Sequence, residues 1–132
     1  MKTVKQLGVW MDHSTAYMME LKGGNIVQNI IVSEFTHEEK ESSISKSEKL
    51  MHNKEQQMQA AFFKEIGEGI KPFGNVLLFG PTDAKTELFH VLRADHHFDA
   101  IKFEITNTGK MNEKFMHNFV TDYFKVLNLY AS

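Results

Sequence analysis

Residues 75–93, NVLLFGPTDAKTELFHVLR, constrain the fold more tightly than any other stretch of the chain. Four consecutive apolar residues, Val76 to Phe79, stop at Gly80-Pro81 and run at once into a helical pattern. An unbroken apolar run bounded by turn formers suits a strand covered on both faces, as in a parallel pair. Thr82 or Asp83 is placed to cap the following helix, and Glu87 to complete a capping box with either. Ala84, Leu88, Val91 and Leu92 return to one helical face. A strand that ends at a helix N-terminus brings backbone N–H groups to the carboxyl edge of a sheet, where α/β proteins bind ligands.

Upstream lie three strand-like segments, Val4 to Met11, Thr15 to Leu21 and Ile26 to Phe35. Asp12-His13-Ser14 separates the first two, and Lys22-Gly23-Gly24-Asn25 offers the flexible residues of a second hairpin turn. The pattern is an antiparallel meander. Thr36 to Lys49, THEEKESSISKSEK, is nearly devoid of apolar side chains and is expected to be a mobile polar loop. A long helix follows, beginning within Leu50 to Glu55 and ending near Ile70. Met58, Ala61, Phe62, Ile66, Ile70 and Phe73 make its apolar stripe, and Lys71-Pro72-Phe73-Gly74 stops it. After the second helix, Asp95 to Asp99 reads as a loop and Ala100 to Thr106 as a fifth strand. The final helix runs to about Leu127, with Phe115, Phe119, Val120, Tyr123, Phe124 and Leu127 on its buried side. The order is β-β-β-α-β-α-β-α. Right-handed crossovers then predict a five-stranded mixed α/β sheet of ribonuclease-H-like type, with helices on both faces.

The 132 residues suit one domain with one substantial core. Fifteen Lys plus Arg against 17 Asp plus Glu give no global attraction to nucleic acid or anionic lipid, so an RNA contact needs a local basic patch. With no cysteine, disulfide and thiolate chemistry are excluded. The N-terminal MKTVKQLGVWMDH meets an aspartate too early for a signal peptide, and no apolar run reaches spanning length. A cytoplasmic protein is expected.

The element order, with Val76-Leu77-Leu78-Phe79-Gly80 followed by Lys85-Thr86-Glu87-Leu88 and a later Thr108-Gly109 turn, resembles the middle domain of the eukaryotic and archaeal class-one peptide-chain release factor and of Pelota. The resemblance spans roughly residues 6 to 127 and extends to bacterial stand-alone proteins that carry this domain. Release factors place a Gly-Gly-Gln tripeptide in the excursion before the long helix, where it promotes hydrolysis of peptidyl-tRNA. The matching stretch, Glu38 to Gln57, holds no glycine. Gly23-Gly24-Asn25 sits in a hairpin turn instead, and Gln56 and Gln57 lack a permissive glycine backbone. No catalytic residue is therefore carried over, and no separate anticodon-reading or partner-binding domain is expected. The resemblance implies a translation-associated protein that touches ribosome or tRNA without hydrolysis. Its RNA contacts are expected at Lys46, Lys49 and Lys54, because the matching region of the resembled domain reaches the ribosomal centre. Interleaved with Glu48 and Glu55, the same lysines also read as a solvated face.

Other chemistry is legible in outline. Gly80, Thr82, Asp83 and Lys85 offer an anion pocket built from turn N–H groups and a lysine charge, although no Walker spacing is present and capping alone explains Thr82 and Asp83. Asp12 stands where ribonuclease-H-like enzymes keep a metal-binding carboxylate, and Asp83 and Asp99 are possible companions. That makes a metal-dependent nuclease or phosphate-handling enzyme the alternative; the plain reading of Asp12 is an Asx turn. His96 and His97, between Asp95 and Asp99, lack metal-site spacing and read as surface loop residues. A third alternative is a protein-interaction module that self-associates. No cofactor is expected.

Overall fold

The computed structural model describes residues 4–33 and 48–131. Its strands are β1 (Gln6–Met11), β2 (Thr15–Lys22), β3 (Asn25–Val32), β4 (Asn75–Gly80) and β5 (Lys102–Asn107). The helices are α1 (Glu48–Ile70), α2 (Ala84–Arg93) and α3 (Glu113–Ala131), with a 3-10 turn at His96–Phe98. The five strands form one sheet in the order β3-β2-β1-β4-β5. β2 runs antiparallel to both β1 and β3, whereas β1, β4 and β5 are parallel. This is the mixed ribonuclease-H-like sheet that the sequence predicts.

The hairpin between β2 and β3 follows from local chemistry. Gly23 and Gly24 adopt φ of 61° and 84°, the paired positive angles of a type I′ turn, whose twist matches the flanking strands. β1 lies between β2 and β4 and is buried along its whole length. Alternation along β1 and β4 divides the core in two. Leu7, Val9, Met11, Val76 and Leu78 face α1 and α2, where Phe62, Phe63, Ile66, Ile70, Leu88 and Leu92 complete one layer. Trp10, Leu77 and Phe79 face α3 and its Met116, Val120 and Phe124. Each such side chain contributes about 1.5–3 kcal/mol by leaving water, so both helical layers are held by burial. Gly8 lets α3 cross β1 closely: a Cβ built there would stand 2.3 Å from Val120 Cγ2.

The helical stripes are rotated slightly from the sequence expectation. In α1, Phe62 and Phe63 are both buried, and Ala61, expected on the apolar stripe, is exposed. In α2, Val91 is 54% exposed, and Lys85 takes the core-facing place with Ala84, Leu88 and Leu92. In α3, Phe115 is exposed and Met116 is buried in its stead. Val4 also lies outside β1 and is exposed. The Asp95–Asp99 segment, expected as a loop, contains the 3-10 turn, with Asp95 accepting from His97 N as its cap. Most of the expected polar loop at 36–49 lies outside the described residues.

Candidate functional site

The parallel strands β1, β4 and β5 all finish on one edge of the sheet, at Met11, Gly80 and Asn107. Their closeness there is set by Gly80. Its φ is +145°, and a Cβ on it would lie 2.2 Å from the Met11 carbonyl oxygen, so no other residue fits without moving backbone. Thr108 N donates to the Gly80 carbonyl at 3.2 Å and ties the third strand end to the other two.

Asp12 follows β1 directly. Its Oδ1 accepts from Ser14 N at 2.8 Å, Ser14 Oγ at 3.1 Å and Thr15 N at 2.8 Å. That is an Asx turn closing the β1–β2 connection, and it commits the carboxylate to its own turn. Among the described residues no group of three or more His, Cys, Asp or Glu side chains is arranged to hold a metal ion. Asp12, Asp83 and Asp99 are therefore not gathered into one cluster.

The four residues of the anticipated anion pocket are adjacent but turned toward local tasks. Thr82 Oγ1 accepts from Ala84 N at 3.2 Å. Asp83 occupies the N-cap position of α2 with no side-chain cap bond, while its carbonyl accepts from Thr86 N and Glu87 N. Lys85 is fully buried, and its Nζ donates to the Thr82 carbonyl at 2.5 Å. The ammonium thus points back into the turn that precedes its own helix instead of lying open at the sheet edge.

Glu87 does not close a capping box. Its Oε2 lies 2.6 Å from His13 Nε2, bridging the β1–β2 turn to α2 across the sheet edge. A carboxylate that fixes an imidazole is half of a general-base arrangement. The neighbouring Ser14 hydroxyl donates to Asp12 and not to this imidazole. Both partners are about half exposed, 46% and 51%. Sequence reasoning did not find this pair: 74 positions separate its members, and only the β1–β4 pairing brings them together.

His96 and His97 each take a separate acid. His97 Nδ1 lies 2.7 Å from Asp95 Oδ1, and His96 Nδ1 lies 3.2 Å from Asp99 Oδ2. The His97 backbone N–H, then its ring, holds the Asp95 carboxyl below its ordinary range. Of the expected RNA-contacting residues, Lys54 is half-buried on α1. Lys46 and the Lys49 side chain lie outside the described residues. No helix among the described residues is long and apolar enough to cross a membrane.

Sheet order, parallel centre and two-sided helical cover define a ribonuclease-H-like α/β fold. Among solved structures, that fold is shared with two archaeal Pelota proteins and an archaeal termination factor. Pelota of Archaeoglobus fulgidus superposes with a TM-score of 0.59 over 98% of this chain, at 10% identity. Pelota of Thermoplasma acidophilum gives 0.54 over 89%, at 15% identity. The archaeal translation termination factor aRF1 gives 0.54 over 96%, at 16% identity. The chain matches 36%, 32% and 41% of the length of those three proteins, respectively. No protein-family model matches the sequence, and comparison with curated proteins finds no match.

Proposed function

We propose that this chain is a translation-associated protein that contacts ribosome or tRNA and does not itself hydrolyse peptidyl-tRNA. The observation that carries this reading is the superposition on Pelota over 98% of the chain, joined to a 38–57 stretch without a single glycine. A glycine-free excursion lacks the backbone freedom that a Gly-Gly-Gln tripeptide uses. Contact through residues 36–57, by Lys46, Lys49 and Lys54, would be electrostatic and salt-sensitive. The chain has a single arginine, which disfavours forked phosphate recognition and suits backbone contact by point charges.

The test is sedimentation with ribosomes at low and moderate salt. The chain should co-migrate at low salt. Lys46→Glu, Lys49→Glu and Lys54→Glu together should abolish co-migration, and single changes should flatten the salt dependence by about one unit of slope each. Binding that is unchanged in the triple variant would defeat the assignment of this region.

A protein-interaction role is the second reading. Phe115, Val126, Leu129 and Tyr130 on α3 are 61%, 52%, 69% and 87% exposed, and exposed apolar patches mark association surfaces. Light scattering across concentration distinguishes self-association from a monomer that binds ribosomes.

A further inference from the structure

β5 ends the sheet on one side, and no strand among the described residues pairs with its outer edge. Lys102 N donates to the Gly74 carbonyl at 2.9 Å, and Thr108 N to the Gly80 carbonyl at 3.2 Å. Backbone polar groups alternate in direction along a strand. The even-numbered residues of β5 therefore face β4, and Phe103 and Ile105 turn their N–H and C=O groups outward. An edge of this kind is a template for a further strand.

Charged side chains on an edge ordinarily deter such pairing. β5, KFEITN, carries one of each sign, Lys102 and Glu104, both exposed. Their partners in the β4 register are Asn75 and Leu77, so both project from the α3 face of the sheet. An antiparallel pairing of β5 with a second β5 has a register set by the residue on the two-fold axis. With Glu104 there, the two carboxylates meet, and like charges directly opposite are destabilising. With Ile105 there, Glu104 faces the partner's Thr106 and Lys102 faces the partner's Thr108, so neither charge is matched. With Phe103 there, Lys102 faces the partner's Glu104 and Glu104 faces the partner's Lys102. These fall in the closely spaced, non-hydrogen-bonded positions, while the two Phe103 residues exchange N–H···O=C bonds through their outward groups.

The same register serves the other face. Phe89, Ile101, Phe103 and Ile105 are only partly buried at the rim of the α1 and α2 core layer, and Phe89 meets Phe103 edge-on with centroids 5.5 Å apart. Phe103 comes to lie beside the partner's Phe103, and Ile105 beside the partner's Ile101, which covers that rim. The opposite edge strand, β3, has no charged side chain and so selects no register.

We propose that two copies of this chain associate through β5 about a two-fold axis at Phe103, joining their sheets edge to edge. The surface is distinct from the exposed α3 residues and from the Lys46, Lys49 and Lys54 region, and its use does not depend on ribosome contact.

The experiment is sedimentation velocity on the intact chain at concentrations up to about 1 mM, the weak end of specific association. Mass should rise from 15.2 kDa to twice that value. Lys102→Glu and Glu104→Lys should each weaken the dimer about tenfold or more, since each turns two facing pairs from unlike to like. An equal mixture of the two single variants should dimerise as the parent does, and so should the double variant; a chain that failed to fold could not be rescued by mixing. Val126→Lys and Tyr130→Lys, on exposed α3 positions, should leave the dimer unchanged. Amide hydrogen exchange at Phe103 and Ile105 should slow as protein concentration rises. A monomer at every concentration would overturn the proposal. So would a dimer indifferent to the single charge changes, no recovery on mixing, loss of the dimer in Tyr130→Lys, or concentration-dependent protection at Ile30 and Val32 of β3 in place of β5.

Discussion

Replacing Gly8 by alanine tests the seating of α3 on β1. The new Cβ would meet Val120 Cγ2 at 2.3 Å and Cγ1 at 2.8 Å, where carbon atoms prefer about 3.5–4.0 Å. More than an ångström must be absorbed. Val120 is fully buried, and a β-branched side chain in a helix has essentially one good rotamer, so the helix itself must lift. Overpacking of this kind costs about 1–3 kcal/mol, offset by about 0.5–1 kcal/mol because glycine is a poor strand residue. Val120→Ala alone removes two buried methyl groups and should cost about 1–3 kcal/mol. In the double variant the added methyl enters the vacated space. The two losses should then fall short of additivity by about 1–2 kcal/mol. Urea unfolding followed through Trp10, the single tryptophan and 7% exposed, gives the four free energies of the cycle, provided the slopes stay equal. Additivity within about 0.5 kcal/mol would show that Val120 does not rest on Gly8, and the placement of α3 would fail with it.

Further outcomes follow from single sites. Lys85→Met should leave stability within about 1 kcal/mol of the parent or raise it, because a buried lysine head with one carbonyl partner gains little over a methionine of similar shape; a loss above about 3 kcal/mol in urea unfolding would contradict that small net gain from the Thr82 carbonyl contact. Gly80→Ala should cost about 2–4 kcal/mol, from positive-φ strain and the clash with the Met11 carbonyl, and lower Tm by roughly 10 °C; an unchanged melt would refute the close approach of β1 and β4. The Asp95 carboxyl is held low by His97, so its contribution is complete above the unfolded value near 3.9 and is lost as pH falls through the folded value. Asp95→Asn should remove that acid-side component, and carbon NMR of Asp95 should show a midpoint below about 3.9; a midpoint at or above it would contradict the contact.

The order of elements was legible because β4 is a continuous apolar run and β1, β2 and β3 are spaced by recognisable turns. Periodicity locates a helical stripe but not its centre, which is why Ala61, Val91 and Phe115 were expected inside and lie outside. Lys85 could not be read as buried, since a charged residue at a helix start normally faces water; its destination depends on the Thr82 carbonyl that the Gly80-Pro81 turn presents. Glu87 illustrates the same limit. Local spacing assigned it to a capping box, and a long-range partner, His13, holds it instead.

Site-directed photocrosslinking measures the claim of ribosome or tRNA contact most directly. A benzophenone amino acid at Gln57, exposed on α1, should crosslink to ribosomal RNA or tRNA in ribosome mixtures. The same group at Lys102, exposed on the β5 edge strand, should give little. Equal yields from both positions, or none from Gln57, would contradict contact through residues 36–57.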